Sequence, residues 1–195
     1  MSEQSLQDLF ISALRDLSEW LDSFPVPYTT IGGVAVSLLA QPRATRDIDV
    51  VVWLDESRWK NLWLKAAEHG LESRIQDPLE FAANSRVLLL KHSGSGIGLD
   101  VIFGGLAFEK EMIESAASLR LGGFTIKVPS PEHLIVTKAV AQRGRDLADI
   151  ESILEAFPLL NLERIRFWAG QFANALDMPE IAECVEAALK RKRRG

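Results

Sequence analysis

The sequence predicts a mixed α/β unit followed by a C-terminal helical region. Three observations carry this. Short strand-like runs alternate with helical periods up to residue 129. Glycine and proline punctuate that first stretch, most clearly at Gly32-Gly33, Ser93–Gly96 and Gly122-Gly123. From Ser130 onward every apolar repeat has the helical period. The expected organisation is therefore a sheet-bearing domain over 1–129 and a helical region over 130–195.

The elements follow in order. Leu6, Leu9, Phe10, Ala13, Leu14, Leu17, Trp20 and Leu21 recur at helical spacing, and Pro25 and Pro27 end that helix. Tyr28 to Ile31 reads as a short strand leading into Gly32 and Gly33, and a short helix spans Val34 to Ala40 before Pro42. Asp47 to Leu54 reads as a strand. Asp55 to Glu68 reads as a helix, with Trp59, Leu62, Trp63 and Ala66 on one face and Gly70 as its stop. The stretch to Asn84 carries no clear period. Arg86–His92 and Ile97–Phe103 form an expected hairpin around Ser93-Gly-Ser-Gly96. Ala107 to Leu119 reads as a helix, and Arg120 to Val128 as two short strands around Gly122-Gly123. Ser130 is an expected N-cap with Pro131 in the first turn, and helices follow near 131–142, 145–156, 161–175 and 179–192.

Length and composition bound the possibilities. At 195 residues, 47% hydrophobic and 25% charged, the chain can bury one good core or a core plus a small appended domain. Its one cysteine, Cys184, excludes an internal disulfide and fits a reducing compartment. The N-terminus is polar and acidic rather than leader-like, and no apolar run approaches a membrane span, so a cytoplasmic protein is expected. Three scattered histidines and one cysteine speak against a zinc site. The net charge of −5 sits entirely in residues 1–129, with 12 Lys+Arg against 17 Asp+Glu. Residues 130–195 carry 10 of each, and Lys190–Arg194 supplies five of the positive ones. The first part is thus no basic nucleic-acid platform.

The stretch from Ile31 to Val52 holds the chemistry. Side chains alternate across a strand, so Asp47 and Asp49 share a face while Ile48, Val50 and Val52 face a core. Adjacent carboxylates repel, and a fold keeps them most easily around a cation. Magnesium suits such hard oxygen ligands beside phosphates. Gly32 and Gly33 allow a positive φ and close approach to a ligand, and the helix after them offers N–H groups and a positive dipole end to a phosphate. A third acid, Asp100, stands between Leu99 and Val101 inside an apolar strand, where an acid is uncommon unless it serves a site.

On these residues the chain resembles the nucleotidyltransferase superfamily related to DNA polymerase beta. The matching pattern is Ile31-Gly32-Gly33, Asp47-Ile48-Asp49-Val50 and Leu99-Asp100-Val101, across residues 28–104. A second stretch, Pro131 to Ile150 with Lys138, Arg143, Arg145, Asp146 and Asp149, is similar to the helical segment of AbiEii-type nucleotidyltransferases, which include toxins of type IV-like toxin–antitoxin systems. The resemblance implies a mixed-sheet nucleotidyltransferase fold, with 1–129 as its catalytic domain. It also implies transfer of a nucleoside monophosphate from a nucleoside triphosphate, such as ATP, to an acceptor hydroxyl, with pyrophosphate released. Two Mg²⁺ ions would be held by Asp47, Asp49 and Asp100, and Asp100 would also take the acceptor's proton.

Further roles follow from the resemblance. Many superfamily members have Gly-Ser where this chain has Gly32-Gly33, which leaves phosphate binding to backbone N–H groups helped by Ser37. Lys138 would reach the triphosphate, the bland alternative being a lysine that snorkels from an apolar helix face. Asp146 and Asp149 would position Lys138 or the nucleotide, unless they only complement a helix dipole. Arg43 and Arg46, just before the acids, suit either a phosphate or a structural carboxylate. The tryptophans at 20, 53, 59, 63 and 168 suit the core, except that Trp53 shares the strand face of Asp47 and Asp49. The basic tail is expected to be solvated, with RNA guidance as the alternative.

Three functional readings are open at this point. The first is a toxin-like enzyme with an acceptor on tRNA or protein and a cognate antitoxin as partner. The second is a small-molecule enzyme that modifies an antibiotic, which the acidic body favours for a cationic acceptor. The third is a catalytically idle, antitoxin-like binding module, against which the intact acid trio argues.

Overall fold

A computed structural model describes residues 3–192, with side chains from 7 to 191. The chain divides into two units, residues 1–31 with 45–128 and residues 32–44 with 129–195. The segment Gly32–Ala44, which the sequence places with the sheet, thus groups with the C-terminal helices.

The first unit is built on five strands. They are β1 (Tyr28–Ile31), β2 (Asp47–Val52), β3 (Leu71–Ser73), β4 (Val87–His92) and β5 (Gly98–Phe103), in the spatial order β1-β2-β5-β4-β3. β2 and β5 run parallel; every other neighbouring pair in this sheet is antiparallel. The central pair is in register from Ile48↔Leu99 through Val50↔Val101 to Val52↔Phe103, and all six side chains are buried. That face is the core of the unit, formed because each strand puts alternate apolar residues on one side.

Helices α1 (Glu3–Ser23), α3 (Trp59–Ala66), α4 (Pro78–Ser85) and α5 (Ala107–Glu114) belong to the same unit. The apolar stripe of α1 is buried at Ala13, Leu14, Leu17, Trp20 and Leu21, and the Trp20 indole donates to Leu62 O at 3.1 Å, tying α1 to α3. Trp59 stacks on Phe103 at 3.9 Å, so two of the tryptophans, Trp20 and Trp59, are core residues. A hairpin of β6 (Ala117–Leu121) and β7 (Phe124–Val128) turns at Gly122, whose φ of 57° favours glycine.

Three local readings are corrected. The patternless stretch before Asn84 contains β3 and α4; β3 is three residues long, too short to show a period. The expected helix Ala107–Leu119 stops at Glu114, because Ala117–Leu119 pairs with Ile126–Val128 instead. The helix expected over Asp55–Glu68 is α3 flanked by short 3₁₀ turns, and Gly70 (φ 66°) ends it.

The second unit contains α2 (Gly32–Leu39), α6 (Pro131–Ala141), α7 (Asp146–Ala156), α8 (Leu162–Leu176) and α9 (Glu180–Lys192). Ser130 caps α6, accepting from His133 N at 3.4 Å, with Pro131 at the first position. Leu134, Ile135, Ala139, Ile150, Ile153, Ile165, Ile181 and Val185 form its buried centre. Among the described residues no helix is long and apolar enough to cross a membrane.

Candidate active site

Three carboxylates gather on the first unit's sheet. Asp47 and Asp49 leave β2 on the face opposite Ile48 and Val50. The parallel register sets Asp47 against Gly98 and Asp49 against Asp100. Residues opposite each other in neighbouring strands point the same way, about 4.8 Å apart, so Asp47, Asp49 and Asp100 share one face. The parallel pairing of β2 with β5 brings Asp100 alongside residues more than forty positions earlier in the chain.

Arg74, which the sequence reading passed over, belongs to this cluster. Its backbone N–H donates to Leu89 O at 3.0 Å just beyond β3, and Leu89 pairs with Asp100. Arg74, Leu89, Asp100 and Asp49 therefore form one row across the sheet. The guanidinium reaches along that row and pairs with the Asp100 carboxylate through Nη2.

Gly98 makes room for this. A Cβ at that position would lie 2.5 Å from Asp47 Oδ1 and 3.1 Å from Arg74 Nη1. Asp47 and the other arm of the guanidinium thus converge over a strand residue with no side chain. The sequence signal is a glycine at the start of an apolar strand two residues before an acid; its place opposite Asp47 follows only from the pairing of β2 with β5. As the side chains stand, with Arg74 drawn in, no three His, Cys, Asp or Glu side chains among the described residues meet as a metal-binding group.

The second unit holds an ionic cluster of its own. Lys138 on α6 is buried at 6% exposure, and its Nζ lies 2.7 Å from Asp149 Oδ2 and 3.0 Å from Asp146 Oδ1, both on α7. Arg43 grips Asp149 from the other side, Nε to Oδ1 at 2.9 Å and Nη2 to Oδ2 at 3.0 Å. Asp146 Oδ2 accepts the Arg143 N–H at 2.7 Å. Two buried acids are thus matched by two cations, which is how such charges survive burial. The Lys138 ammonium is buried between Asp146 and Asp149, and Arg43 pairs with the Asp149 carboxylate. A cavity of about 420 Å³ opens beside Lys138 and Asp146, lined also by Arg143, Glu180, Cys184 and Arg191. Burial pushes the Cys184 thiol pKa above its ordinary value.

The remaining expected residues fall as follows. α2 starts at Gly32, two residues earlier than expected, and Gly32 takes a φ of 66° while Gly33 is buried in the helix. The Ser37 hydroxyl serves its own surroundings, lying 2.9 Å from Gly33 O and 3.1 Å from Arg43 O and accepting from Arg43 N at 3.2 Å. Arg46 is exposed, in the first unit. Trp53 is half-buried, one residue past the end of β2, with its ring against Gly104. Of the basic tail, Arg191 pairs with Glu151 at 2.5 Å, and residues 193–195 lie outside the described residues.

Comparison with known proteins gives this geometry a context. An antigenic nucleotidyltransferase-like protein from Paracoccidioides brasiliensis superposes with a TM-score of 0.54 at 19% identity, covering 96% of this chain and 94% of that one. The antibiotic-resistance factor ANT(2'')-Ia superposes with a TM-score of 0.59 at 16% identity, covering 92% and 97%. The lincosamide antibiotic adenylyltransferase LnuA, solved with lincomycin, gives 0.52 at 17% identity, covering 80% and 99%. At these identities the likeness shows a shared nucleotidyltransferase fold. No curated protein matches the chain in sequence. The sequence model described as nucleotidyl transferase AbiEii toxin, type IV TA system, matches residues 17–192. The chain therefore belongs to the AbiEii family of nucleotidyltransferases.

Proposed function

We propose that this nucleotidyltransferase moves a nucleoside monophosphate from a nucleoside triphosphate to a hydroxyl on tRNA or protein, as the toxin of a toxin–antitoxin pair with a cognate antitoxin. The observation that carries the reading is the row of acids: two from β2 and one from β5, side by side on one sheet face. The donor set fits magnesium. All of its ligand atoms are hard oxygens, the absence of a side chain at Gly98 lets Asp47 lie over β5, and the cluster already draws in a cation, the Arg74 guanidinium. Asp47, Asp49 and Asp100 would hold two Mg²⁺ ions, which supply charge neutralisation for the triphosphate and a more acidic acceptor hydroxyl.

The protein's own part is positioning and proton transfer. The acceptor oxygen forms a bond to the α-phosphorus, the bond from that phosphorus to the β-phosphate oxygen breaks, and pyrophosphate leaves. Asp100 takes the acceptor's proton. Gly32 and Gly33 offer backbone N–H groups to phosphate at the start of α2, and Arg46 adds an exposed cation in the first unit. Lys138 keeps one N–H of its ammonium beyond the two given to Asp146 and Asp149, and on this reading that donor would serve the triphosphate. Asp146 orients Lys138 and borders the same cavity. Ser37 acts indirectly, by holding the Arg43 loop against α2.

The test is transfer of label. Wild type and Asp47→Asn are incubated with each α-labelled nucleoside triphosphate, Mg²⁺ and a cell lysate. Label in RNA or protein with wild type alone supports the reading. Label only in an added aminoglycoside or lincosamide supports the small-molecule reading. No label with any acceptor overturns both.

A further inference from the structure

The row across the first sheet places Arg74 on the oxygens of the acid trio. Its guanidinium stands where a metal ion would compete with it: Nη2 on Asp100, Nη1 over Gly98 beside Asp47. The lone pairs of a carboxylate oxygen that accept guanidinium N–H groups are those that would ligate a cation. One set of oxygens cannot serve both fully. The pair is also built to open. Arg74 lies just past the short edge strand β3, and the side chains of Arg74 and Asp100 are 32% and 34% exposed, so the guanidinium can exchange its partner for water.

We propose that Arg74 is a positioning residue for the metal site: it is the resident counter-cation of Asp47 and Asp100, and a divalent ion must displace it to bind. This rests on the trio being the metal site. Arg74 offsets part of the repulsion between these neighbouring carboxylates when metal is absent. The same contact lowers the affinity for metal, because each binding event first breaks a charge-assisted pair. Arginine suits this better than lysine, since a planar fork can face two carboxylates at once and its charge persists at any physiological pH.

The experiment is Mn²⁺ binding to the metal-free full-length chain without nucleotide, read from the free-ion electron paramagnetic resonance signal. Arg74→Gln keeps a polar side chain but removes the charge and the reach to Asp100, and is expected to bind Mn²⁺ about tenfold more tightly. Arg74→Lys should fall between Gln and wild type. Lys110→Gln, which removes an exposed α5 cation paired with Glu114 away from the acid face, controls for net charge and should match wild type within about twofold. Equal or weaker Mn²⁺ binding by Arg74→Gln overturns the role of Arg74 while leaving the metal site standing. No Mn²⁺ binding by wild type and Arg74→Gln alike overturns the metal reading and this inference together. A second measurement needs no variant. In wild type, the Arg74 Nε–H nuclear magnetic resonance signal should shift and exchange faster with water as Mg²⁺ is added. A signal unmoved at saturating Mg²⁺ overturns the proposal.

Discussion

Lys138 and Gly98 show how much one residue can decide. Lys138 is held by Asp146 and Asp149 in a buried cluster completed by Arg43. Replacing it with alanine leaves two buried carboxylates with too little positive charge, a loss of about 3–5 kcal/mol. Urea denaturation of Lys138→Ala should show that loss; a midpoint equal to wild type's would mean the cluster contributes no stability. Gly98→Ala acts differently. Its Cβ would arrive 2.5 Å from the free end of the Asp47 side chain, which can swing away. The fold should survive with a nearly unchanged melting midpoint, while the displaced carboxylate lowers transfer by about a hundredfold. Full activity in Gly98→Ala would show that Asp47 need not stand where it does. The sequence showed Asp47, Asp49 and Asp100 as acids in apolar runs, and Lys138 as a cation on an apolar helix face. It did not show Arg74, which sits in the patternless stretch beyond a three-residue strand.

Single elements reveal which local signals were reliable. The start of α6 was legible, because Ser130 and Pro131 have one conformational preference each and the helix needs both. β6 was not, because Ala116, Ala117 and Leu119 suit a helix in isolation and become a strand only by pairing with β7. α6 also carries a pH dependence. Burial lowers the pKa of His133 below its ordinary 6.5, partly opposed by the Glu132 charge. The ring lies 2.8 Å from Ser130 Oγ. As pH falls through about 6.5 the unfolded chain takes up a proton that the folded chain resists. Stability present above that pH is therefore lost progressively toward the folded-state pKa. The drop in melting midpoint between pH 7.5 and 5.5 should be smaller in His133→Gln than in wild type; an equal drop would assign the acid sensitivity elsewhere.

For the whole molecule, binding and folding are linked. A ligand that binds only the folded chain stabilises it by about 2.7 kcal/mol at a hundred times its dissociation constant. Mg²⁺ with a nucleoside triphosphate should therefore raise the wild-type melting midpoint by several degrees, and chelator should remove the rise. In Asp49→Asn the rise should vanish together with transfer, whatever the variant's own starting midpoint. A mutant that keeps the full rise, or still transfers nucleotide, would remove Asp49 from the site.

By itself the sequence determined the alternation of strands and helices, the helical character beyond Ser130, and the two faces of β2 with acids on one and core on the other. These rest on periodicity and on the preferences of glycine and proline, which act over a few residues. Only the tertiary structure decided that β5 lies beside β2 in parallel and in a register that sets Asp100 against Asp49. It alone put Arg74 on the same row through β4, grouped Gly32–Ala44 with the C-terminal helices, and joined Arg43 to Asp149 across 106 positions. Such contacts depend on which strands pair and which buried charges must be matched, and a charge far along the chain leaves no periodic trace of the partner it will neutralise.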